Sequence, residues 1–136
     1  MKKLISTTYS DNAFNFAMLL QRVAAGLMLL IAHGLPKISH YNEMAATFFD
    51  PLKIGHRNTL LLSIFAEVFC SMLLVLGLFT RIAAFIIVLD LSFAVFMYHR
   101  GQPLRNADLG IMYLTSVFSI LLVGPGRVSV DGMMGK

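Results

Sequence analysis

Apolar residues fall into four long runs, at about residues 13–33, 59–79, 82–98 and 107–123, divided by polar breaks. Each run holds roughly 17–21 residues, enough for a helix to cross a hydrocarbon core of about 30 Å. No water reaches the backbone there, so each segment must satisfy its own hydrogen bonds, and the predicted elements are helices. The breaks agree with this. Gly77 and the Thr80–Arg81 pair mark a connection so short that the second and third helices must be antiparallel neighbours. Asn106 or Asp108, after Pro103, suits the start of the fourth helix, and Gly124-Pro125-Gly126 stops it. The fold class expected is all-α: a polytopic membrane protein, an antiparallel bundle of four transmembrane helices in a single domain over residues 1–136. The one long connection, from Gly34 to Asn58, carries a mildly amphipathic stretch in which Met44, Ala45, Phe48, Phe49 and Leu52 suit an interfacial helix or an ordered loop.

Composition supports the membrane reading. Hydrophobic residues make up 57% of the 136 and charged residues 13%, and the mean hydropathy is +0.76. Soluble domains carry about a quarter charged residues. The lipid bilayer is therefore the expected partner. The formal charge of +4 is spread along the chain without a basic, aromatic-interleaved cluster, which argues against nucleic acid. The single cysteine, Cys70, excludes an internal disulfide and a C-x-x-C site. Met1-Lys2-Lys3-Leu4-Ile5 resembles the start of a signal peptide, but the polar stretch Ser6–Asn12 follows it, so the first helix is expected to act as an uncleaved anchor. Four spans put both termini on one side. Lys2, Lys3, Arg81, Arg127 and Lys136 fall on that terminal side, and Lys37, Lys53, Arg57, Arg100 and Arg105 on the opposite, loop side. The balance leaves orientation undecided.

The ionisable residues within the spans carry the chemistry. Arg22, Glu67 and Asp90 lie in the first, second and third runs. At about 1.5 Å per residue they sit roughly 16, 12 and 13 Å from the loop side, in one slab. A lone charge at that depth costs at least about 2.5–3.5 kcal/mol, so the three are expected to face one another, with Arg22 pairing one or both carboxylates. Two carboxylates against one cation leave room for a proton or a further donor. Helical spacing groups Arg22, Ala25, Gly26, Leu29 and His33; then Ser63, Glu67, Cys70 and Ser71; then Ala83, Ile87, Asp90, Ala94 and Met97; then Asp108, Met112, Thr115 and Ser119. At the loop-side mouth, His33 and His99 close the first and third helices and Asp108 opens the fourth. The six residues Arg22, Glu67, Asp90, His33, His99 and Asp108 are the candidates for ligand binding or proton relay. His33, His99 and Asp108 are metal-ligand types, but their spacing matches no metal signature, and no metal is assigned. The bland alternative is that the buried charges fix helix register.

These residues also carry a resemblance. Arg22-Val-Ala-Ala-Gly26, His33-Gly34-Leu-Pro-Lys37, Glu67, Gly77-Leu78-Phe79-Thr80-Arg81, His99 and Gly124-Pro125-Gly126-Arg127-Val-Ser129-Val-Asp131 occur in an order similar to the DoxX family of small four-helix membrane proteins. The resemblance implies an inner-membrane protein with cytoplasmic termini, His33 and His99 on the outer face, and an association with quinone-linked or redox-stress chemistry. Where the family pattern carries Glu at the start of the fourth helix, this chain has Asp108, with a shorter reach. The function expected is a redox-accessory protein binding a quinone-like or other lipophilic small molecule at the Arg22, Glu67 and Asp90 cluster, as a possible subunit of a quinone-linked oxidoreductase. A redox protein or a second copy would be its partner. The alternative is a transporter, chaperone or assembly subunit whose buried charges are structural.

Overall fold

A computed structural model describes residues 4–135. Lys2, Lys3 and Lys136, which enter the charge balance, lie outside the described residues, as do Met1 and its signal-like context up to Lys3. Four helices are long and apolar enough to span a membrane: α1, Asp11–Ser39; α3, His56–Leu76; α4, Thr80–Tyr98; and α5, Leu104–Val123. Two short helices complete the chain, α2 (Tyr41–Met44) and α6 (Val130–Met133). There are no strands among the described residues.

α1 starts where Ser10 Oγ accepts from the Ala13 N–H at 3.1 Å. It does not end at His33, as the apolar run predicts, but continues through Pro36 to Ser39. Pro36 has no N–H to donate, yet it occupies the first turn of the α-helical piece that follows a π-helical segment, Leu29–Gly34. The wider π-helical turn changes which carbonyls are used, so the ring enters without breaking the helix. This correction carries Lys37 onto α1. α3 stops at Gly77, whose φ of +75° places it in the left-handed region. Its N–H and that of Leu78 both reach Leu73 O, at 2.8 and 3.0 Å. Phe79 then turns the chain into α4.

Lipid tails are as apolar as leucine, so close packing and buried polar contacts hold such a bundle together. α1 and α3 touch where α1 carries no side chain. A Cβ on Gly26 would stand 2.6 Å from Val75 Cγ2, and one on Gly34 2.7 Å from Glu67 O. Leu29, Leu74, Ile87, Val117 and Ile120 fill the centre with no exposed surface. The outward faces are lined by Phe16, Ile31, Leu62, Phe85 and Leu122, all exposed, as lipid contact demands. On the loop side, the predicted interfacial helix shortens to α2. Asp50 then organises the turn, accepting from Ile54 N–H, Gly55 N–H and Thr59 Oγ1 at 3.1, 2.8 and 2.7 Å. Phe49 packs edge-on against Tyr98, with centroids 5.3 Å apart, tying this connection to the end of α4.

Candidate functional site

The predicted slab of three charges divides into two centres. Arg22 is buried, but it does not pair with Glu67 or Asp90. Its Nη1 donates to Pro125 O at 2.6 Å and its Nη2 to Val128 O at 2.8 Å. With α1 running to Ser39, Arg22 is some 25 Å from the loop-side end of its helix, counted at about 1.5 Å per residue, and it belongs to the terminal side. The carbonyls it binds come from the chain after α5. That segment folds back under the bundle as a clasp. Asp131 accepts from the Phe79 and Thr80 N–H groups at 3.0 and 2.9 Å and from Thr80 Oγ1 at 2.8 Å, so it caps α4 from a distant part of the chain. Burial alone would raise the Asp131 carboxyl. The donors from Thr80 and Phe79 and the charge of Arg22 outweigh it and hold the group below its ordinary value. Ser129 accepts from Gly132 N–H at 2.9 Å, and Arg127 N–H donates to Asn15 Oδ1 at 2.8 Å. Gly77 is required here: a Cβ would lie 2.4 Å from Ser129 Cβ and 3.0 Å from Arg22 Cζ.

The second centre lies toward the loop side and gathers residues from all four long helices. Glu67 is buried, and its carboxylate forms an ion pair with the Lys37 ammonium, the only ion pair among the described residues. Asp90, partly buried on α4, approaches Glu67 and Ser63 and lies in the field of Lys37. His33 stands one helical turn before Lys37, in the field of both Glu67 and Lys37. Its ring meets Tyr113 of α5 edge-on, with centroids 5.3 Å apart. His33 Nε2 is buried and has no hydrogen-bond partner. The stripe Ser63, Glu67, Cys70 and Ser71 is buried as its spacing predicts. Three π-helical segments occur here, Leu29–Gly34, Phe65–Cys70 and Phe93–Tyr98. The first contains His33, the second contains Glu67, and the third begins three residues after Asp90. Such turns widen a helix and concentrate at functional sites.

The other two mouth residues are placed elsewhere. His99 caps α4, with Nδ1 on Ala94 O at 2.8 Å, and its ring packs edge-on against Tyr98 at 4.9 Å. Asp108 is exposed, and its carboxylate accepts only from the Leu109 N–H at 2.6 Å. Neither is brought to His33. Among the described residues no three His, Cys, Asp or Glu side chains are grouped so as to hold a metal ion. The predicted inner face of the fourth helix is also corrected: Met112, Thr115 and Ser119 are exposed, and Tyr113, Val117 and Ile120 point inward. Thr115 Oγ1 donates to Ile111 O at 3.0 Å and Ser119 Oγ to Thr115 O at 2.8 Å, so each hydroxyl is satisfied by its own helix while facing lipid. On α4, Val95 is buried and Met97 exposed, because the π-helical segment shifts the register of the predicted face.

Sequence reasoning missed Lys37 and Tyr113. Lys37 was legible as the i+4 neighbour of His33, had the apolar run not ended the predicted helix at His33. Tyr113 had no such signal, because the polar residues around it mark the wrong face.

Four membrane-spanning helices around a buried polar centre define a small polytopic membrane protein. The sequence pattern of the DoxX family matches residues 17–100, and the chain belongs to that family. An uncharacterized protein of Haemophilus influenzae is 34% identical over 77 residues, covering 52% of this chain and 58% of that protein. The chain thus spans little more than half the length of that relative. No solved structure matches it.

Proposed function

We propose that the loop-side centre binds the head of a quinone-like or other lipophilic small molecule, and that the protein is a redox-accessory component of the inner membrane with cytoplasmic termini. The observation that carries this reading is the unpartnered, buried His33 Nε2 in a cluster built by all four helices. An unsatisfied buried polar atom is costly, and a ligand atom would relieve it. The donor set fits a carbonyl-bearing head. Lys37 offers an ammonium, His33 a ring nitrogen, and Glu67 and Asp90 can hold a proton between them. A quinone, when bound, would supply the redox chemistry. In this arrangement Lys37 takes the role of cation that the sequence suggests for Arg22.

The test is a thermal-shift titration of the purified protein with a short-chain ubiquinone analogue. A ligand at a hundred times its Kd stabilises a folded protein by about 2.7 kcal/mol. The expected result is a concentration-dependent rise in Tm that Glu67→Gln and His33→Phe abolish. No rise in the unaltered protein, or an equal rise in both variants, overturns the proposal. A second reading, an assembly or transport subunit with structural charges, draws on the Lys37–Glu67 pair, which joins α1 to α3 beside the tight Gly34 contact. It expects both variants to lose stability with no ligand effect in any of them.

A further inference from the structure

Two surface cavities on the terminal side share a wall. The larger, about 890 Å³, opens between the start of α1, the start of α4 and the clasp, and Arg81 and Arg127 line it. The smaller, about 300 Å³, is an apolar groove along α3 and α4 that runs past Phe69 to Ile86. Phe79 and Ile82 line both, so a charged cavity and an apolar groove adjoin across these two side chains. The groove is on the outer surface of the bundle: Phe69 and Ile82 beside it are exposed.

The charges at the mouth are unequally engaged. The Asp131 carboxylate is taken up by the Phe79 and Thr80 donors. Arg81 reaches only Val123 O, at 3.5 Å. The side chain of Arg127 makes no hydrogen bond or ion pair among the described residues. Two exposed guanidinium groups therefore stand over the cleft with their donors largely unused, opposed by Asp11 and by Asp131, whose charge the buried Arg22 offsets. A guanidinium matches the geometry of a phosphate, which it can hold through two parallel hydrogen bonds. We infer that these adjoining cavities together hold one anionic phospholipid. Its phosphate rests on Arg81 and Arg127, and one acyl chain passes Phe79 and lies in the groove toward Ile86. The site is separate from the loop-side centre and independent of what binds there.

Native mass spectrometry of the full chain in detergent tests this, with phosphatidylglycerol, phosphatidylcholine of the same chains, or inorganic phosphate added. Phosphatidylglycerol is expected to be retained at least about tenfold better than phosphatidylcholine, and about thirty-fold less well by R81Q/R127Q, at about fivefold per arginine. R57Q/R105Q removes the same charge at the opposite end and should leave retention within about twofold. Equal retention of the two lipids, or equal losses in the two double variants, overturns the site. Displacement of the lipid by an equal concentration of inorganic phosphate shows a free-anion site and overturns the lipid. Lipid retention unchanged in R81Q/R127Q, with a dimer lost instead, assigns the cleft to a second copy and overturns it too. If R81Q/R127Q does not fold, R127Q alone should lose about fivefold, and unchanged retention there is decisive against the proposal.

Discussion

The two ends of the bundle use buried charge in opposite ways. At the terminal side, Arg22 and Asp131 direct their charge at backbone groups: the carbonyls of Pro125 and Val128, and the amides of Phe79 and Thr80. These partners cannot leave without unfolding the clasp. At the loop side, Lys37, Glu67 and Asp90 face other side chains, and His33 Nε2 faces none. Side-chain partners can exchange for a ligand atom at little cost to the fold. The backbone partly follows the same division: the π-helical segments of α1 and α4 lie toward the loop side, and that of α3 lies mid-helix around Glu67. Buried atoms without a partner occur at both ends, Arg22 Nε at one and His33 Nε2 at the other, but only at the loop side are the charged partners side chains that can move. Both ends pair a cation with a carboxylate-bearing partner set, so the identity of the partner is what distinguishes them.

The comparison breaks first if Arg22 is dispensable. Arg22→Met leaves the Pro125 and Val128 carbonyls without their buried donor and Asp131 without its cation. Removing one partner of a buried charged contact costs about 3–5 kcal/mol, so the variant should unfold at a much lower Tm in mild detergent. A well-folded Arg22→Met protein that merely fails to bind a quinone analogue would return Arg22 to the ligand site and dissolve the distinction. Gly77→Ala comes next. The new Cβ meets Ser129 and must hold a positive φ, for an expected loss of about 2–4 kcal/mol, read by the same melting curve.

The contrast between the ends was only half legible beforehand. The four spans, the buried faces of α1 and α3, and the burial of Arg22 and Glu67 follow from hydropathy and 3.6-residue spacing. What depth arithmetic lacks is direction. The depth arithmetic also misplaces the end of α1: with the helix running to Ser39, Arg22 lies deeper than counted from His33, and its long side chain reaches on to the clasp. The polar residues of α5 misled for a different reason: in lipid, a serine or threonine bonded to its own helix can face outward, as Thr115 and Ser119 do. The role of Asp131 as a remote cap for α4 depends on the chain folding back after Gly126, which local pattern does not encode. The π-helical turns that carry α1 past Pro36 leave no compositional trace at all.

Acid should separate the two ends by a smaller effect. Asp131 is held below its ordinary value in the folded protein. Its contribution is therefore complete above the unfolded carboxyl pKa, near 3.9 for a model aspartate, and is lost as pH falls through the lower folded value. Melting curves of the unaltered protein should drop to lower Tm below about pH 4, and those of Asp131→Asn should start lower and vary less across that interval. A variant with the same acid dependence as the parent would place the sensitive carboxyl elsewhere.

The smallest stability change is expected at the loop side, and it sharpens the comparison most. Lys37 sits near the end of α1 with its side chain 15% exposed, close enough to the loop side for its ammonium to be rehydrated if Glu67 is neutralised. Replacing both partners of a partly buried pair by apolar residues of similar volume is often neutral or stabilising. Lys37→Met combined with Glu67→Met should therefore keep the Tm equivalent within about 1 kcal/mol of the parent, while Arg22→Met does not. The double variant should also lose the thermal shift with the ubiquinone analogue. A large loss of stability in the double variant would make the loop-side pair as structural as the clasp. Retention of the ligand shift would move the site away from Lys37 and Glu67. Stability kept and binding lost is the pattern that only a centre reserved for a ligand produces.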